Sequence, residues 1–376
     1  MRIVNAQIVL ENKIIKGYIE SNKGKITKIG SGKCAKPGYD AKGLYLLPAF
    51  FDSHTHGGYG LDFNMLSKNI DTKKITNYLG KVQSEGVANV MMTTVTASDR
   101  DLNTIAQNYH SLKSLDSSNV IKGWYIEGPY ISVARKGAHN PKLIRNINLN
   151  ELKKISAFTK GVTKILAVAP ENKNNLSLIP KLTKEYFISI GHSAADYKTA
   201  MKAFDLGAKR IVHLYNAMPD FDKRHPTILN AIFNRNDLYC ELICDKAHVS
   251  SEVILNTYKI LGTNQILIIS DSLLTKGLKN GKYNVWNAMV EKRGMLGYLP
   301  GTNNIAGGNL PYNLQVENFG NITKCSMNDI LKVSSLNAAK SLKQDTHFGN
   351  LVVGAADNFV LLNRKYQLKK IFINNK

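Results

Sequence analysis

The chain has little cysteine: Cys34, Cys240, Cys244 and Cys325 are the only four among 376 residues. No two form a CxxC pair, which argues against a disulfide framework and against a thiolate zinc site, and points to a reducing, cytoplasmic setting. Cys240 and Cys244 lie inside the apolar run YCELIC, where they read as small buried hydrophobes. There is no stretch of about 18 apolar residues, so no membrane span is expected. The opening MRIVNAQIVLENK meets a glutamate and a lysine before a signal-length apolar core develops, so export is not expected either. Ten prolines and 28 scattered glycines exclude collagen-like or proline-rich disordered material.

Acidic residues are scarce as well. Asp+Glu number 28 against 50 Lys+Arg, a formal charge of +22. Such a balance invites a nucleic-acid reading. The lysines, however, never gather into a run of five or six and are not interleaved with aromatics, as an RNA-binding face requires. The charge therefore reads as compositional, and the protein is expected to have no nucleic-acid and no membrane partner. A diffuse positive field still suits steering of an anionic small molecule, such as a phosphorylated one.

Hydrophobic residues at 43% and charged residues at 21% suit a sizeable soluble core. Residues 1–48 alternate short β-rich runs (IVNAQIVL, KIIKGYIES, KITKIG) with turns, as in a small antiparallel sheet, and residues 344–376 do the same in GNLVVGAADNFVLLN and KKIFINN. One β-sandwich domain built from both termini is predicted. Between them, residues 49–343 carry eight apolar strand-like runs separated by helical stretches: LLPAFFD, VMMTTVT, GWYIEG, KILAVAP, FISIGH, RIVHL, YCELICD and QILIISD. This pattern predicts an α/β fold, a (β/α)8 TIM-type barrel.

In such a barrel function gathers at the C-terminal ends of the strands. Six of the nine histidines fall at those ends or just beyond. His54 and His56 end the first barrel run two residues apart, so both imidazoles face one side. Asp52 beside them is a candidate to orient a ring, or a strand-end cap. Glu127 follows the third run, His192 closes the fifth and His213 the sixth. Singly, each suits a turn former or a structural histidine; together they have the donor chemistry of a divalent-metal site. Asp271 closes the eighth run, placed for general acid/base work beside an activated water, although Ser270-Asp271-Ser272 would also cap a helix.

The ordered set HxH, Glu, His, His, Asp on strands one, three, five, six and eight resembles the amidohydrolase superfamily. The words PAFFDSHTHGG, YIEGPYISVARKGAHNP, IGHSAADYKTAMKAFDLGA, HLYNAMPDFDKRHP, CELICDKAHV, ISDSL and NIAGGNL narrow the resemblance to its deacetylases of N-acetylated amino-sugar phosphates. The likeness spans essentially the whole chain. It implies a metal-dependent enzyme of amino-sugar catabolism that hydrolyses N-acetyl-D-glucosamine 6-phosphate to D-glucosamine 6-phosphate and acetate, the ion activating water and Asp271 acting as acid/base. It implies one or two divalent ions per subunit (Zn, Fe or Mn), with Glu127, His192 and His213 as ligands of the main ion. His54 and His56 add a place for a second. His139 resembles the histidine that polarises the acetamide carbonyl, next to Ala138. Asn216, Ala217 and His248 resemble sugar-phosphate contacts, and Ile305, Ala306 and Gly307 a substrate-lining loop after strand eight. Arg224 resembles an arginine that reaches the neighbouring subunit's phosphate, implying a homodimer or homotetramer.

The chain departs from the group's pattern at His225 and Thr227, at Lys246, and at Ser270 and Leu273 flanking Asp271. All lie around the sugar and phosphate, none at a proposed ligand. The alternatives are a cyclic-amide hydrolase or a nucleobase deaminase of the same superfamily, and, outside enzymology, a barrel scaffold or RNA binder. Many cyclic-amide hydrolases bridge two ions with a modified lysine on strand four; here Lys164 stands at the start of that strand, the wrong end.

Overall fold

The computed structural model describes residues 1–286 and 288–374. The amino-terminal strands Arg2–Val9, Ile14–Asn22 and Lys25–Ser31 form an antiparallel meander. The first of them also pairs in parallel with Tyr45–Pro48, which in turn pairs antiparallel with Phe359–Leu362 and, through it, with Leu368–Phe372. The sheet is therefore mixed rather than wholly antiparallel, because Tyr45–Pro48 arrives by a crossover instead of a hairpin. Both ends of the chain build it, around a core of its own that includes Ile3, Ile8, Ile19, Leu46, Phe359 and Phe372.

Tyr45–Pro48 runs on into the barrel. Eight parallel strands follow in sequential order: Phe50–Thr55, Val87–Thr94, Ile121–Ile126, Thr163–Val168, Phe187–Ile190, Arg210–Ile211, Tyr239–Ile243 and Ile266–Ile269. Each lies within or against one of the eight apolar runs read from the sequence. Backbone bonds just past the strand ends close the ring: Asp271 N–H donates to His54 O (3.0 Å) and His56 N–H to Ser272 O (3.0 Å). Period-two alternation divides the side chains. Met91, Tyr125, Ile165 and Ala167 fill the barrel interior, while Met92, Trp124, Leu166 and Val168 pack outward against the helices. Most of those helices begin at a side-chain cap: Asp71, Ser98, Asn148, Asp196, Thr227 and Ser250 each accept from a backbone N–H in the first turn.

After the eighth strand the chain does not enter a helix at once, so the capping role for Asp271 falls away. A four-stranded antiparallel sheet (Gly281–Val285, Ala288–Arg293, Leu296–Tyr298, Ile305–Gly308) intervenes, with Leu273, Leu274, Val285 and Val290 as its core. Ile305, Ala306 and Gly307, expected in a loop, are therefore strand residues. They are held there by pairing with Leu296–Tyr298 and by a bridge from Gly308 back to Ser272. Among the described residues no helix is long and apolar enough to cross a membrane.

Candidate metal centre and active site

The strand ends bring His54, His56, Glu127, His192, His213 and Asp271 into one buried cluster at the barrel mouth. Close approach of the fifth and sixth strands depends on Gly191, where an added Cβ would lie 2.2 Å from Val212 Cβ. Three of the residues then turn sharply inward. His192, His213 and Asp271 take left-handed backbone, with φ of 45°, 22° and 46°. For non-glycine residues that conformation stores roughly 1–3 kcal/mol each, and such strain collects at functional sites.

Glu127 sits in the middle. Its Oε1 is 3.0 Å from His213 Nε2 and 3.3 Å from His192 Nε2, which are 3.1 Å from each other. Its Oε2 is 3.1 Å from His56 Nε2 and 3.5 Å from His54 Nε2. Asp271 Oδ1 approaches the same two imidazoles at 3.1 and 3.4 Å. The cluster thus has two halves joined by one carboxylate. Burial opposes ionisation of Glu127, but His54, His192 and His213 outweigh it and hold the carboxyl well below its usual range. For Asp271, too, burial opposes ionisation, and the hydrogen bond to His56 with the charges of His54 and His213 prevails, again lowering the pKa.

The outer partners set which ring nitrogen carries each proton. His54 Nδ1 faces Glu241 Oε2 at 2.8 Å, His192 Nδ1 faces Arg135 O at 2.8 Å, and His213 Nδ1 faces Asn216 O at 3.2 Å. Each of those oxygens only accepts, so each Nδ1 donates and each Nε2 faces inward as the nitrogen a cation would take, displacing its proton, the arrangement of metal-ligating imidazoles. His139 is wired the other way. Thr96 N–H donates to its Nδ1 at 3.3 Å, and Thr96 Oγ1 lies 2.7 Å from the same atom. A backbone N–H cannot accept, so the neutral ring carries its proton on Nε2, 3.7 Å from Glu127 Oε2. Burial, followed by the positive field of His192, holds His139 well below the ordinary histidine pKa. By distance alone, Glu127, His139 and His192 also group as possible ligands, beside His54, His56 and Glu127. The outer partners separate the two roles: His213 has Nδ1 engaged by a carbonyl and Nε2 against the Glu127 carboxylate, whereas His139 accepts at Nδ1 and offers a proton from Nε2.

Above the cluster opens a cavity of about 390 Å³, lined by His56, Glu127, Ala138, His139, His192, His213, Asn216, Ala217, His248, Asp271, Ile305 and Ala306 among others. His54 lies beneath it, fully buried. Gly307 does not line the cavity, and its neighbour Gly308 anchors Asp271 through N–H to O at 2.9 Å. Arg224 is exposed on a surface loop and is not brought to the cavity of its own chain. Asp52 does not orient a histidine ring; its carboxylate accepts from Ser270 N at 3.0 Å and Ser270 Oγ at 2.5 Å, tying the first strand to the eighth. Lys164 Nζ contacts the carbonyls of Thr159 and Val162, before its strand and away from the cluster. Glu241, Thr96, Asp245 and Trp286 went unremarked in the sequence. Asp245 Oδ2 holds His248 Nδ1 at 2.6 Å, and the Trp286 ring meets His56 edge to face at 5.0 Å.

A model of the amidohydrolase family matches residues 45–376. The chain belongs to the amidohydrolase family. It is 31% identical to the N-acetylglucosamine-6-phosphate deacetylase of Bacillus subtilis (strain 168), across 96% of this chain and 92% of that protein. It is 29% identical to the N-acetylgalactosamine-6-phosphate deacetylase of Escherichia coli O157:H7, across 87% and 86%. The crystal structure of N-acetylglucosamine-6-phosphate deacetylase from Thermotoga maritima superposes with a TM-score of 0.89 at 29% identity, covering 100% of this chain and 99% of that one. Amidohydrolase membership and the cluster together imply a divalent metal. The donor set fits one: ionised carboxylates and imidazole Nε2 atoms, all directed inward.

Proposed function

We propose that this enzyme hydrolyses N-acetyl-D-glucosamine 6-phosphate to D-glucosamine 6-phosphate and acetate. The observation that carries the chemistry is the opposed wiring at the barrel mouth: His54, His192 and His213 have Nδ1 engaged outside and Nε2 turned to Glu127, while neutral His139 has Nδ1 accepting and presents an Nε2 proton to the same space. The likeness to deacetylases over nearly the whole chain carries the substrate.

Glu127, His192 and His213 would hold the main divalent ion and His54 and His56 a second, with zinc, iron and manganese all suited to these donors. When bound, such an ion acidifies water and polarises a carbonyl. The protein's own groups do the rest. Asp271, ionised and lining the cavity, accepts a proton from the attacking water and returns it to the departing amine. His139 donates from Nε2 to the acetamide oxygen as negative charge builds there. Its low pKa keeps it neutral, and Thr96 keeps the proton on the useful nitrogen.

Asn216, Ala217 and His248 line the cavity on the side of the sixth and seventh strands, where the sugar phosphate would lie, with Ala138, Ile305 and Ala306 closing it. Binding energy from the phosphate would hold the acetamide in place. Arg224, solvent-facing in its own chain, completes this reading in a homodimer or homotetramer, where it reaches the phosphate of the neighbouring subunit. Residues 49–343 would form the catalytic domain, and 1–48 with 344–376 the small one; of the latter, 375 and 376 lie outside the described residues. A cytoplasmic setting suits the four free cysteines.

The test is acetate release by metal-loaded protein from the gluco and galacto 6-phosphates beside unphosphorylated N-acetylglucosamine. Turnover of the gluco 6-phosphate above both others supports the proposal. Preference for the galacto compound moves the substrate to its epimer, and turnover of none discards the deacetylase reading.

A further inference from the structure

Below the cluster the barrel interior holds a pair of opposite charges. Arg210 on the sixth strand and Glu241 on the seventh are 1% and 0% exposed. Glu241 is flanked by Cys240 and Leu242, which point outward into the helical layer, and it shares the interior with Tyr125, Val212 and Leu267. An apolar side chain is the default there, and a buried ion pair seldom adds stability over a well-packed hydrophobe. Its contacts give it another purpose. Oε1 accepts from Arg210 Nη2 at 2.9 Å. Oε2 accepts from His54 Nδ1 at 2.8 Å and from the backbone N–H of His213 at 3.2 Å. Arg210 is itself fixed, donating to Ser53 Oγ at 3.1 Å and to Ser341 Oγ.

One carboxylate oxygen therefore touches both halves of the cluster: the side chain of His54 in one and the backbone of His213 in the other. We propose that Glu241, held by Arg210, is a positioning residue for metal uptake. It keeps a proton of His54 on Nδ1, so that Nε2 is the nitrogen presented to the cation, and it sets the spacing between the two halves. The His54/His56 position depends on it most, because the other contact is to backbone rather than to a ligand ring. The inference rests on reading the cluster as a metal centre, and the experiment separates the two.

Metal-free wild type, Glu241→Gln, Glu241→Asp and His54→Ala are titrated with zinc against a chelating indicator, and bound ions per subunit are counted by mass spectrometry. Wild type is expected to bind zinc, and folded Glu241→Gln to bind it about 10- to 100-fold more weakly at one position. Glu241→Asp should recover part of the loss, and Glu241→Gln should cost nothing more in a His54→Ala background. Affinity and ion count in Glu241→Gln within twofold of wild type overturn the proposal. Zinc binding without acetate release removes the deacetylase reading and leaves this comparison decisive; no zinc binding by wild type overturns both. Should Glu241→Gln not fold, nitrogen NMR on histidine-labelled wild type decides, with the His54 signals assigned from His54→Ala. A proton on Nδ1 with and without zinc upholds the role, and a bare Nδ1 sinks it.

Discussion

A cavity of about 1270 Å³ opens on the terminal sheet, against about 390 Å³ at the barrel mouth. The larger is lined by Lys16, Lys33, Lys42, Arg364 and Lys365, all exposed, with Asp40 as its one acid among the described residues. That aspartate is occupied locally by Asn5 Nδ2 at 3.0 Å and Lys42 N at 2.8 Å. Nothing converges: exposed ammonium groups stay hydrated and are screened within about 8–10 Å by physiological salt. At the barrel mouth, imidazoles and carboxylates less than a tenth exposed meet within hydrogen-bonding distance, and each ring whose Nδ1 is bonded has its proton assigned by an outer partner. The contrast shows that a site is made by buried, convergent donors; neither volume nor net charge makes one.

The contrast can be broken or sharpened by experiment. Asp271→Asn should have the largest effect, lowering kcat roughly 100- to 10,000-fold, the usual contribution of a positioned acid/base; steady-state kinetics on the gluco 6-phosphate measure it. His139→Ala should lower kcat about 100- to 1000-fold, as loss of an oxyanion donor does, and a loss under about threefold would remove it from the reaction. Arg224 is the informative exception, an exposed cation like those on the sheet that is assigned a function only across a subunit boundary. Arg224→Ala should raise KM for the phosphorylated sugar about 10- to 100-fold, the worth of a charge-assisted hydrogen bond, and an unchanged KM refutes the assignment.

Metal uptake should depend on pH. Burial works against the charge on His56, but hydrogen bonds to Asp271 and Glu127 prevail and hold its pKa at about 9. Below that value the cation must displace a proton, so affinity rises with pH, by up to about tenfold per unit for each proton released. Zinc added to weakly buffered metal-free protein near neutral pH should acidify the solution, and an affinity flat between pH 6 and 8 would contradict this. The smallest effect is expected on the sheet, where Lys16→Gln with Lys42→Gln should change kcat/KM less than about twofold at physiological salt.

What the sequence disclosed follows from where its information lies. The eight barrel strands were legible because strands buried on both faces read as unbroken apolar runs, and their polar ends marked the mouth. The four-stranded sheet after the barrel was not legible, since GKYNV, AMVEKR and LGY are short, mixed in polarity and mostly only partly buried. The left-handed backbone at His192, His213 and Asp271 has no signature in residue type. Nor do the partners that assign the histidine protons, because Arg135 and Asn216 act through carbonyls and Thr96 through a backbone N–H. Glu241 did leave a trace: a lone acid in the middle of YCELIC must find a counter-charge once the strand is buried.

The terminal sheet imposes an order on biosynthesis. Tyr45–Pro48 leaves the ribosome before any barrel strand, yet its neighbour Phe359–Leu362 emerges only after the whole barrel has been made. At roughly 5–20 residues per second that interval is on the order of tens of seconds. Throughout it, the nascent amino-terminal meander presents an unpaired strand edge and a half-covered apolar face, the features that recruit chaperones and seed aggregation. Strands Phe359–Leu362 and Leu368–Phe372, translated after the barrel, are therefore the ones that end this exposure.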